Sequence, residues 1–100
     1  MKIKNVKGSS KVAARPPKPY NSWLEYWEHR TGIRLDPARF YRCPSCDRSF
    51  KRDVFDGCHV QKADDNDLRW YIVPLCSSCN HREGILCIGE TPLVPSPSNL

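Results

Sequence analysis

The chain has no apolar stretch longer than Trp70–Cys76, and Pro74 interrupts even that one. A membrane-spanning helix needs ~20 such residues, so none is expected. The lysines of the N-terminus are followed by no apolar run, so the pattern of a secretory signal is missing. Internal repeats are absent as well. Residues 1–19 contain no acid, although Lys2, Lys4, Lys7, Lys11, Arg15 and Lys18 all lie there. Those cations account for the net charge of +5, because the remainder holds slightly more acid than base. Gly8-Ser9-Ser10 and Pro16-Pro17-Lys18-Pro19 add breakers, so residues 1–19 read as a disordered basic arm. Residues 90–100, with Pro92, Pro95 and Pro97, read as a second disordered tail. This leaves residues 20–89 as one domain. A core that small seldom supplies more than ~3–5 kcal/mol and usually needs a metal, disulfides or a partner.

Order is expected from Tyr20. Ser22 with Glu25 fits a capping box, and Trp23, Tyr26, Trp27 and Arg30 follow at helical spacing. The pattern predicts a helix from about Ser22 to Arg30, stopped by Gly32, with Trp23 and Trp27 on its apolar face. Further on, Ser49 to Val54 reads as a strand that Asp56-Gly57 breaks, and Cys58 to Ala63 as another. Asp64-Asp65-Asn66-Asp67 is a polar turn. Leu68 to Leu75 is the most strand-like run, rich in aromatic and β-branched residues. A short helix is expected to begin at Cys76 and end near Glu83-Gly84.

The six cysteines sort by spacing. Cys43 and Cys46 form one CxxC and Cys76 and Cys79 another, which matches a closed tetrahedral zinc site of four thiolates. Without a secretory signal the expected setting is the cytoplasm, where thiols stay reduced. A closed site leaves no position for water or substrate, so one structural Zn²⁺ is expected to staple the fold. A knuckle at Cys43–Cys46, a β-hairpin and a short helix starting at Cys76 make a treble clef. The predicted fold class is therefore a small α+β, zinc-bound treble-clef domain preceded by an N-terminal helix. Cys58 and Cys87 stay outside this site. A second zinc using them with His59 and His81 is disfavoured, because Cys58 and His59 are strand neighbours and point to opposite faces.

The stretch Gly57-Cys58-His59-Val60, followed by Val73-Pro74-Leu75-Cys76-Ser77-Ser78-Cys79-Asn80, resembles the HNH or His-Me finger nucleases of the zinc-stapled type. The resemblance covers about residues 43–83. It implies that His59 is the general base that activates water for attack on phosphorus. It also implies that Asn80 ligates a catalytic divalent ion, Mg²⁺ or Mn²⁺. Glu83 stands where that family often carries His or Lys, and is either a second oxygen ligand or the end of a solvated helix. The position before the base, often a metal-binding Asp, Glu or His in that family, is Cys58 here, and thiolate is a poor ligand for Mg²⁺. Arg39, Arg42, Arg48, Lys51 and Arg52 form a basic stretch suited to phosphate contacts, so nucleic acid is the expected partner, DNA ahead of RNA. Two functions follow: a metal-dependent endonuclease, or a catalytically inactive treble-clef module that binds nucleic acid or a protein.

Overall fold

A computed structural model describes residues 1–6, 15–64 and 66–97. Its elements are strand β1 (Lys2–Asn5), helix α1 (Trp23–Thr31), strands β2 (Phe40–Arg42) and β3 (Ser49–Lys51), and one 3₁₀ turn (Arg52–Val54). They continue with β4 (Phe55–Lys62), β5 (Tyr71–Cys76), helix α2 (Ser77–Asn80), β6 (Ile85–Cys87) and β7 (Val94–Pro95). Five strands form one antiparallel sheet in the order β6-β1-β4-β5-β7, and β2-β3 form a separate two-stranded ribbon. The result is a small α+β domain. Among the described residues no helix is long and apolar enough to cross a membrane.

Helix α1 forms where the capping signals put it. Ser22 Oγ accepts the Glu25 N–H at 3.1 Å. At the other end Gly32, at φ 76°, donates its N–H to Glu28 O at 2.9 Å, a left-handed cap that glycine adopts without strain. Trp27 is buried and donates Nε1–H to Pro92 O at 2.9 Å, while Trp23 is half-buried against the sheet.

The ends of the chain depart from the expectation of disordered tails. Lys2–Asn5 is a strand lying between β4 and β6, with Ile3 fully buried and Lys2 and Lys4 exposed. The alternation Lys-Ile-Lys suits a strand buried on one face, and burying Ile3 offsets the cost of ordering the segment. Lys7 and Lys11 of the basic arm lie outside the described residues. At the other end Val94 is buried and pairs with Ile72, so Val94–Pro95 complete the sheet; residues 98–100 lie outside the description.

The hairpin β4–β5 runs in register from Phe55↔Cys76 to Val60↔Tyr71. Asp56 and Gly57 do not break it, since both are ladder residues. Gly57 serves a packing purpose: a Cβ there would lie 2.4 Å from the backbone of Trp23 and Leu24, so its absence lets the start of α1 rest on the strand. Pro74, opposite Gly57, lies beyond the stretch of β5 that pairs with β7, where its missing N–H deprives no strand. The strand expected over Ser49–Val54 ends at Lys51 and gives way to the 3₁₀ turn.

Apolar side chains pack on both faces of the sheet. Ile3, Val60, Val73, Leu75 and Leu86 form the larger cluster with the buried cysteines, and Tyr26, Trp27, Ile72 and Val94 form a smaller one beneath α1.

Candidate metal centre and the surroundings of His59

The ribbon turn is closed by backbone bonds. Cys43 N–H donates to Arg48 O at 2.8 Å, and Asp47 N–H donates to Cys43 O at 2.9 Å. Asp47 takes φ 63°, the left-handed conformation that lets so tight a turn return to β3. Across from it, β5 ends at Cys76, which opens α2, and Cys79 follows within that helix. The Sγ atoms of Cys43, Cys46, Cys76 and Cys79 all lie within 4.8 Å of one another. Cys43, Cys76 and Cys79 are buried and Cys46 is half-buried.

This geometry fits zinc. A tetrahedral ion with Zn–S near 2.3 Å places its thiolates about 3.8 Å apart, and Cys46 Sγ lies 3.8 Å from Cys76 Sγ. Burial pushes the Cys43 thiol up, but N–H groups of Cys46, Cys76 and Ser45 outweigh it and bring the pKa down to about 7. The Cys76 N–H···Sγ distance to Cys43 is 3.5 Å. Burial raises the Cys76 thiol to about 12, and neighbouring sulfurs add to the rise. Four buried thiols converging in this way could hold a zinc ion, whose charge would deprotonate all of them. No other group of three or more potential ligands occurs among the described residues. Cys58 is buried outside the cluster and donates its thiol to Asp56 O at 3.4 Å, with burial and the Asp56 charge both raising its pKa. Cys87 is exposed on β6.

His59 sits mid-way along β4, opposite Ile72, and is 7 % exposed. Trp23 from α1 packs edge-on against its ring at 4.7 Å, and Trp70 does so at 5.7 Å. Burial pulls the imidazole below its ordinary pKa. The Asn80 side chain folds back onto the same strand, donating Nδ2–H to Asp56 Oδ2 at 3.2 Å. Glu83 is exposed, and α2 ends at Asn80, short of the expected Glu83-Gly84. The early stop has a partner on β1: Asn5 Nδ2 donates to the carbonyls of Cys79 at 3.0 Å and Arg82 at 2.9 Å. Those carbonyls are thus satisfied without a further helical turn.

The basic residues divide by partner. Arg52 turns inward and grips buried Glu28 with two bonds, Nη2 to Oε1 at 2.6 Å and Nε to Oε2 at 3.2 Å. Burial raises the Glu28 carboxyl, but the bonds from Arg52 and the Leu35 N–H outweigh it and hold the group below the usual glutamate range. Arg42 pairs with Asp47 at 3.1 Å and Arg39 with Asp36 at 3.8 Å, all of them exposed. Arg48 lies over the Phe50 ring at 5.7 Å and Lys51 over Phe40 at 5.5 Å. The flanking tryptophans, the Asp56–Asn80 bond and the Glu28–Arg52 pair all join segments distant in sequence, and no spacing in the chain signals them. No family model, curated protein or solved structure matches the chain.

Proposed function

We propose that this chain is a zinc-stapled module of treble-clef type that docks on nucleic acid through the β2–β3 ribbon. The observation that carries the reading is the composition of the ribbon's outward surface. Phe40, Arg42 and Lys51 are exposed there, with Arg48 at the turn, while Tyr41 and Phe50, opposite one another, pack inward. Zinc at the knuckle would hold this surface rigid against the hairpin and α2. Each phosphate contact by Arg or Lys releases counterions, so affinity should fall with salt at a log–log slope of about 0.7–0.9 per contact. Titrating labelled DNA and RNA with the zinc-loaded protein across a salt series tests this. Replacing Arg42, Arg48 and Lys51 by Gln is expected to flatten the slope by up to about three. Affinity indifferent to salt would sink the reading.

A second reading, an HNH-like endonuclease, draws support from two features. Burial favours the neutral imidazole of His59, the form a general base must have at pH 7. Asn80 also reaches the strand that carries His59, through Asp56. Against it stands the enclosure of His59 between Trp23 and Trp70, since a base must touch the attacking water. In a plasmid-nicking assay with Mg²⁺, Mn²⁺ or Ni²⁺, cleavage by the native protein and not by His59→Ala would establish the enzyme. Folded, zinc-bound protein that nicks with no ion leaves the docking module standing.

A further inference from the structure

We infer that the ribbon takes unpaired rather than duplex nucleic acid, with Phe40 as a stacking platform for a base. This rests on the reading of the ribbon as a nucleic-acid surface and narrows it to a substrate class. Phe40 is 65 % exposed. The other large apolar side chains left in water among the described residues, Met1, Ile33, Leu68 and Ile85, are aliphatic. Scattered aliphatic exposure is ordinary for a protein surface, whereas an aromatic ring set among cations offers a specific chemistry.

The register fixes that setting. Phe40 lies directly opposite Lys51, and Arg42 lies opposite Ser49, so all four share the outward face of the ribbon. Lys51 Nζ stands 5.5 Å from the centroid of the Phe40 ring. Single-strand sites combine a cationic track for the phosphates with an aromatic face for the bases, and this strand pair supplies both within two residues. In a duplex every base face is already occupied by its neighbours. Phe40 then gains nothing unless it wedges a base step apart, and the cations alone contribute.

The experiment compares fluorescence anisotropy of oligo(dT) and oligo(U), each about 12 nucleotides long, with a duplex of equal length at one low salt concentration. Native protein, Phe40→Ala and Phe40→Tyr are titrated in parallel, each with its zinc content and melting temperature measured. Phe40 makes little of the core, so all three are expected to fold alike. The expected result is tighter binding of at least one single strand than of the duplex. Phe40→Ala should weaken that single strand by about 5- to 150-fold and the duplex by less than about twofold, with Phe40→Tyr restoring the native affinity. The dT and U arms show whether the site prefers the DNA or the RNA single strand. Duplex preference, an equal loss on both substrates, or no loss in Phe40→Ala would overturn the inference while leaving salt-dependent docking intact. Failure of all three ligands to bind at low salt would overturn the docking reading itself.

Discussion

An imidazole surrounded by indole rings pays for ionisation in lost hydration, and His59 is in that position. Trp23 and Trp70 both pack against it in T-shaped contacts, and burial is the one cause that shifts its pKa, downward. The folded value thus lies below the unfolded value of about 6.5. The linked stability is therefore fully present above about pH 6.5 and is lost as pH falls from there through the folded pKa. An NMR titration of the imidazole resonances in zinc-loaded protein is expected to place the His59 midpoint below about 6.5. A midpoint above that would mean a carboxylate reaches the ring in solution, and the enclosure described for His59 would be wrong. The enclosure by the same two rings, which keeps the attacking water from the imidazole, is why a histidine in such a motif is not by that fact a working base. Its neighbours on the folded sheet decide, and they come from α1 and from the approach to β5.

At the scale of elements, β1 carries more of the fold than its length suggests. It lies between β4 and β6, Ile3 is fully buried, and Asn5 caps the end of α2. Ile3→Ala is expected to cost about 2–5 kcal/mol, read as a shift in urea midpoint at unchanged slope. A change within about 0.5 kcal/mol, typical of a surface site, would show that β1 is dispensable. This strand was illegible in the sequence because its alternation spans only Lys2-Ile3-Lys4, inside a segment whose charge and glycine argue for disorder. Its partners β4 and β6 are far along the chain, and only tertiary pairing makes a strand of it. Residues Val94–Pro95 escaped for the same reason, as two residues carry no period. Helix α1, by contrast, was readable because Ser22, Glu25 and Gly32 act through bonds within the helix itself. Gly57 misled in the opposite sense: glycine in a strand marks either a break or a close approach, and here the backbone of Trp23 and Leu24 is the approach.

At the scale of the whole molecule, the four cysteines join parts that little else joins. The ribbon β2–β3 belongs to a different sheet from β4–β5, and its ties to the rest include Tyr41 and Phe50 against the core, the Glu28–Arg52 pair just after it and the sulfur cluster. Each CxxC could be read from spacing alone, because a tight turn presents two thiols locally. Their meeting required the hairpin to bring Cys76 beside Cys46. Zinc affinity in small modules corresponds to ~10–16 kcal/mol, well above the ~3–5 kcal/mol expected of so small a core. One zinc per chain is therefore expected by elemental analysis. Chelation, or Cys46→Ser with Cys79→Ser, is expected to lower the melting temperature sharply. The partition of contacts also orders the events: α1 packs directly on the five-stranded sheet, whereas the ribbon meets the core through Tyr41 and Phe50 and would be fastened further by a metal at the four cysteines. During a chelator titration, loss of salt-dependent nucleic-acid binding is thus expected to precede loss of far-ultraviolet circular dichroism. Binding that outlasts the metal would place the docking surface on the five-stranded sheet, where Lys2 and Lys4 are exposed, and remove the ribbon from the mechanism.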